Sequence, residues 1–124
     1  NKNSQEKISF KGFSENVWDK INEADVLVLT SKYEGFGMVL CEAAIRGISL
    51  ISSSCPIGPD EIVNSENGFL YKPGDVKELS SLIKDIVNQK NILPSTEQVT
   101  DSVKKFGYKS FSKRILLSLR NNIN

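Results

Sequence analysis

The sequence predicts an α/β fold, a parallel sheet with flanking helices, on three observations. Short β-like runs recur along the chain with helical patterns between them. One run, Val26 to Leu29 (VLVL), is apolar without alternation, as in strands buried on both faces of a parallel sheet. The connections are short, which suits right-handed βαβ units and a doubly wound sheet. With 124 residues, 39% hydrophobic and 25% charged, the chain has room for one domain. A core of that size needs no disulfide or metal staple.

The elements follow in order. Ile8-Ser9-Phe10 reads as a strand that ends at Gly12. A helix is expected from Ser14, suited to an N-cap, to about Glu23, with Val17, Trp18 and Ile21 on one face. After the Val26 to Thr30 strand, a second helix runs from about Gly37 to Arg46 and stops at Gly47, a residue suited to a left-handed C-cap. Ile48 to Ser54 is a strand, Cys55 to Pro59 a turn, Asp60 to Val63 a short helix, and Phe69 to Tyr71 a strand. Leu79, Leu82, Ile83 and Ile86 recur at helical spacing and predict a helix over Val76 to Val87. Residues 91–124 read as a loop and then a helical segment interrupted near Gly107, with apolar Val103, Phe106, Phe111, Ile115, Leu116 and Leu119.

Composition removes several chemistries. There is no histidine, so Ser-His nucleophiles and imidazole metal ligands are excluded within these residues. Cys41 and Cys55 are too few for a disulfide framework and read as free thiols of a reducing compartment. No apolar run is long enough to span a bilayer, and the start NKNSQEKISF carries no signal region, so a cytoplasmic location is expected. Charge is uneven. From Asp101 onward Lys104, Lys105, Lys109, Lys113, Arg114 and Arg120 face Asp101 alone, a net +5 on a body of net −4. Nucleic acid is disfavoured as a partner, because the aromatics sit at core spacing and the charge excess is small.

The stretch TSKYEGFGMVLCEAA, Thr30 to Ala44, carries the chemistry. In open α/β sheets, ligands gather outside the carboxyl ends of the strands. The turn Ser31 to Phe36 lies at such an end, and a helix N-terminus beside glycines is an anion site. Gly35-Phe36-Gly37 alone is a weak phosphate signal, because Leu40 stands where a dinucleotide fingerprint has its third glycine. The acids Glu34 and Glu42 say more. Ionised carboxylates accept paired hydrogen bonds from vicinal diols such as a ribose or a sugar ring. Glu42, amid Leu40, Cys41, Ala43 and Ala44, faces either solvent or the crevice.

VLVLTSKYEGFGMVLCEAAIRGISLISSS resembles the signature region of the retaining, group 1 glycosyltransferases of the GT-B class. These carry a Glu, seven residues, then a Glu, after a strand that opens with Ala-Asp and ends near a Ser. Here those are Ala24-Asp25, Ser31, Glu34-Gly35-Phe36-Gly37 and Glu42-Ala43. ISFKGF and GPDEIVNSENGFLYKPGD resemble flanking runs of the family, so the likeness is collinear from about Ile8 to Val87. It implies a Rossmann-like parallel sheet, the later part of a C-terminal donor domain, with residues 1–90 binding nucleotide sugar. Glu34 is then the catalytic residue, accepting hydrogen bonds from hydroxyls of the donor sugar, and Glu42 takes the ribose. The amides of Phe36, Gly37, Met38 and Val39, after Gly35, meet sugar and diphosphate, and Phe10, Lys11 and Gly12 border the base.

The same resemblance implies transfer of a hexose or N-acetylhexosamine in bacterial-type polysaccharide, lipopolysaccharide or lipid-linked oligosaccharide assembly. It implies no cofactor and no metal, and no DxD pattern is present. The family's diphosphate clamp and acceptor domain have no counterpart before Asn1, and Lys11 and Lys32 do not match the clamp positions. These residues alone are therefore expected not to transfer sugar. In the strand order 3-2-1-4-5-6 the family's earlier strands lie between Ile8–Phe10 and Val26–Thr30, so these two runs are expected to pair directly, to leave an edge exposed or to borrow a neighbour's strand, and self-association is expected. The basic tail is a solvated helix face, a helix packed on an N-terminal acceptor domain, or a peripheral contact with anionic lipid. The alternatives are a non-catalytic nucleotide-sugar-binding module that needs a partner chain, and a receiver-type signalling domain. The latter wants an acidic pocket and a late-strand Lys, which are not clear in this sequence.

Overall fold

The computed structural model describes residues 8–21, 23–55 and 57–107. Three strands form one parallel sheet in the order β1 (Val26–Leu29), β2 (Ser49–Ser53), β3 (Gly68–Tyr71). Val26 is in register with Ser49, and Leu50 with Gly68. Helix α1 (Met38–Ile45) joins β1 to β2, and the single turn α2 (Pro59–Ile62) joins β2 to β3. Helices α3 (Val76–Val87) and α4 (Thr96–Ser102) follow, then a 3-10 turn over Lys104–Phe106. The expected α/β class and the expected positions of these three strands and of α1, α2 and α3 agree with this order.

All five residues of β2 are buried, because it has a strand on either side and side chains packed over it. Its alternation sorts the two faces. Leu50 joins Leu40, Cys41, Ala43, Ala44, Ile48, Ile62, Val63, Val99 and Val103 in the core, with Leu27 and Leu29 against them. Val26, Val28 and Ile51 look to the other face, where they line a cleft of about 500 Å³ with Ile83, Ile86 and Val87 of α3. The α1 face is therefore densely packed and the α3 face is thinly covered.

Helix α4 was foreseen only as part of a broader helical segment. Its start carries a capping box: Ser95 Oγ accepts from Gln98 N at 3.2 Å, and Ser95 N donates to Gln98 Oε1 at 2.9 Å. Val99 and Val103 then bury against α1, and Asn67, wholly buried, donates to Ile62 O and Ser102 Oγ. That bond ties the loop before β3 to α4. The basic tail positions Lys109, Lys113, Arg114 and Arg120, with Phe111, Ile115, Leu116 and Leu119, lie outside the described residues.

Three expectations fail. Val26 to Leu29 is a strand but is not buried on both faces: β1 is the edge of the sheet among the described residues, none of its residues is fully buried and Val28 is exposed. Ile8 to Phe10 is not a strand but exposed coil, with Phe10 95% exposed. A three-residue strand holds only by pairing with a neighbour. Here β1 pairs with β2 alone, and no described residue fills its other edge. The helix expected over Ser14 to Glu23 is also missing among the described residues. Isolated turns replace it, with Lys20 N donating to Val17 O and Ala24 N to Ile21 O. A helix this short depends on burying its apolar face, and only Trp18 packs on the core while Val17 stays exposed. Asn16 also bonds Asp19 through side chains, a local alternative to the helix ladder.

Candidate functional site

The turn after β1 is built by its neighbours. Ser31 Oγ donates to Glu34 Oε1 at 2.5 Å and holds the half-buried carboxylate across one turn. The carbonyl of Ser31 accepts from Ser53 Oγ and, at 3.1 Å, from Cys55 Sγ. The carboxyl ends of β1 and β2 are thereby pinned together through hydroxyl and thiol groups.

Gly58 seats the glycine turn. A Cβ there would lie 2.5 Å from Gly35 O and 2.7 Å from Phe36 O, and its φ of +97 suits no side chain. Its neighbour Ile57, β-branched, is held at φ +70, so strain collects where this loop meets the turn. From the other side, Phe36 packs edge-on against Phe106, with centroids 5.5 Å apart.

Gly37 is the N-cap of α1, in a left-handed conformation with φ 76 and ψ 46, and offers no side-chain cap. Leu40 N closes on Gly37 O at 2.9 Å. The amides of Phe36, Gly37, Met38 and Val39 have no hydrogen-bond partner among the described residues. Unpaired N–H groups at a helix start carry partial positive charge and bind anions. A side-chain cap would have occupied part of that field.

Glu42 lies one turn further along α1. Trp18 Nε1 donates to its Oε2 at 2.8 Å, and Arg46 Nη1 donates to its backbone carbonyl at 2.8 Å. The Arg46 guanidinium stacks over the Trp18 ring, 4.5 Å from the centroid. Glu42 Oε1 has no partner among the described residues. Beside it, burial pushes the Cys41 thiol above its ordinary range, and the charge of Glu42 adds to that shift. Neither Glu34 nor Glu42 forms an ion pair among the described residues, so their acceptor capacity is not taken up by a cation.

The structure thus gathers Glu34, Gly35, Phe36, Gly37, Met38, Val39 and Glu42 on one turn and the helix it opens. Phe10, Lys11 and Gly12 lie apart in exposed coil, without hydrogen bonds, ion pairs or ring contacts among the described residues. Sequence reasoning missed the supports: Ser53, Cys55, Gly58, Trp18, Arg46 and Phe106. Only Ser31, three positions before Glu34, carried a local signal. Trp18 and Phe106 reach the site from 24 and 70 positions away, which no spacing rule announces.

Residues 1–107 match the family model described as glycosyl transferases group 1. The chain is 33% identical over 119 residues to the lipopolysaccharide 1,6-galactosyltransferase of Escherichia coli K12, covering 91% of this chain and 33% of that protein. It is 28% identical over 95 residues to a capsular polysaccharide biosynthesis glycosyltransferase of Staphylococcus aureus, over 77% of this chain and 24% of that one. Among solved structures, the apo form of the lipopolysaccharide outer core galactosyltransferase WaaB superposes with a TM-score of 0.87 at 24% identity, over 95% of this chain and 34% of the other. HepE of Anabaena in complex with UDP superposes with a TM-score of 0.80 at 23% identity, over 94% and 33% of the two chains. The fold is accordingly the one found in GT-B glycosyltransferases. The chain spans about a third of the length of the curated relatives it matches. Motif, sheet and family model agree: the chain belongs to the group 1 glycosyltransferases.

Proposed function

We propose that this chain forms the later part of the donor site of a retaining glycosyltransferase, which transfers a hexose or N-acetylhexosamine in lipopolysaccharide, polysaccharide or lipid-linked oligosaccharide assembly. One observation carries the reading: among the described residues, four amides without a hydrogen-bond partner at the start of α1 stand between two carboxylates that form no ion pair. Glu34 contacts the hydroxyls of the donor sugar, and Glu42 accepts from the ribose. The diphosphate meets the amides of Phe36 to Val39. Breaking the glycosidic bond of the donor gives the sugar oxocarbenium character and leaves charge on the diphosphate. Fixed N–H groups stabilise that charge without having to reorganise. Phe10, Lys11 and Gly12 border the base on this reading. No metal is assigned, because the amides meet the charge and the carboxylates meet hydroxyls. The reading places the protein in the cytoplasm, with the basic tail against an acceptor domain or an anionic membrane.

The relatives support this assignment by name, through two lipopolysaccharide 1,6-galactosyltransferases and a neighbour of similar fold in complex with UDP. The test is titration calorimetry with UDP, GDP and ADP on the protein at its full natural length and on Glu42→Ala. One nucleotide should bind selectively, and Glu42→Ala should weaken it by at least tenfold, the loss of charge-assisted hydrogen bonds. Equal binding by the variant would remove Glu42 from the site.

A further inference from the structure

We propose that Trp18 is a positioning residue for Glu42, holding its carboxylate in the orientation that receives the ribose. The inference rests on the donor-site reading above and adds to it a residue from outside the motif.

The three side chains form a closed set. Trp18 Nε1–H donates to Glu42 Oε2 at 2.8 Å, Arg46 stacks on the Trp18 ring at 4.5 Å, and Arg46 Nη1 donates to Glu42 O at 2.8 Å. Indole is a donor only and an ionised carboxylate an acceptor only, so the bond cannot reverse its sense. The guanidinium over the ring face is attracted by its π-electrons and polarises the N–H toward the acid. Helix α1 thus grips the ring through Arg46 and receives its N–H at Glu42, one turn away.

What this does for binding follows from rotamer freedom. A glutamate side chain loses several rotamers when it is fixed by a ligand. The Trp18 bond fixes it beforehand, so less is lost when the hydroxyls arrive. A neutral donor also leaves the negative charge intact, where a paired cation would compete with the ribose. Oε1 keeps all its acceptor positions among the described residues, and Oε2 keeps one lone pair. Two acceptors on one rigid carboxylate suit two adjacent hydroxyls. Glu34 is treated in the same way by Ser31, through a neutral hydroxyl. The segment carrying Trp18 forms no helix and is largely exposed around it, so its half-buried ring is the part the fold retains.

The experiment measures preference for ribose rather than affinity alone. UDP, GDP and ADP, each with its 2′-deoxy and 3′-deoxy counterparts, are titrated into the full-length wild type, Glu42→Gln, Trp18→Phe and Arg46→Gln, with thermal melts of each. The ratio of ribo to deoxy affinity is read on the nucleotide that binds, and general loss of folding cancels in it. We expect Glu42→Gln to abolish the preference. Trp18→Phe, which keeps the ring and loses the N–H, should reduce it about three- to tenfold. Arg46→Gln should reduce it by a smaller factor, and it carries the test on its own if Trp18→Phe does not fold. An unchanged ratio in Trp18→Phe, with loss in Glu42→Gln, overturns the proposal and leaves the donor-site reading standing. Tighter ribose binding by Trp18→Phe also overturns it, because Trp18 would then compete with the ligand. An unchanged ratio in Glu42→Gln overturns the donor-site reading itself.

Discussion

Helices α1 and α3 lie on opposite faces of one sheet and are made in opposite ways. Helix α3 is written locally. Asp75 caps it by accepting from Glu78 N at 2.9 Å, Lys84 sits in its last turn, and an apolar stripe runs along it. Yet none of its residues is fully buried. Helix α1 has no side-chain cap, no acid in its first turn and no basic residue in its last, but buries Leu40, Cys41, Ala43 and Ala44. It exists because the core needs it. The difference teaches where chemistry can be placed. A helix held by packing can leave its N-terminal amides open, whereas a helix held by its cap has them occupied.

The largest expected effect tests that contrast in the core. Leu40, 0% exposed, should cost about 2–5 kcal/mol when truncated to alanine. Leu82→Ala in α3 should cost clearly less, since its side chain is only half-buried. Urea unfolding compares the two, and equal losses would mean that α3 is as firmly packed as α1.

Next comes the seat of the turn. Gly58→Ala places a Cβ against the carbonyls of Gly35 and Phe36, so the turn must shift. Strain at such a backbone position costs on the order of 1–3 kcal/mol, and nucleotide affinity should fall at least tenfold if the amides move with the turn. Calorimetry beside a thermal melt separates the two losses. Retained affinity in a destabilised variant would show that the amides are set by α1 alone.

The smallest effect sharpens the comparison from the other side. Asp75→Ala removes the cap of α3 and should lower stability by about 1 kcal/mol. Nucleotide affinity should not change, because the α3 cap lies outside the Ser31 to Gly37 turn. A matching loss of affinity would couple the two helices.

Much of this was legible in the chain itself. Val26 to Leu29 announced a strand, the spacing of Leu79, Leu82, Ile83 and Ile86 announced α3, and the run around Glu34 and Glu42 announced the family. The apolar run did not announce that β1 is the sheet edge among the described residues, with no residue fully buried and Val28 exposed. Ile8 to Phe10 and Ser14 to Glu23 misled, although their patterns were as good as those that held. A parallel strand and a short uncapped helix are stable only against neighbours, and a pattern does not say whether a neighbour is there.

By itself, then, the sequence determined the order of the three strands and of α1, α2 and α3, the family and the pair of acids, because each rests on residues near one another in the chain. Tertiary structure alone decided how Glu42 and the glycine turn are held. Trp18 reaches Glu42, Gly58 makes room for Gly35, and Phe106 braces Phe36, each across a distance in sequence that only packing closes. Local propensity acts over a few residues, whereas the orientation of a carboxylate depends on whatever the fold brings within about 3 Å of it.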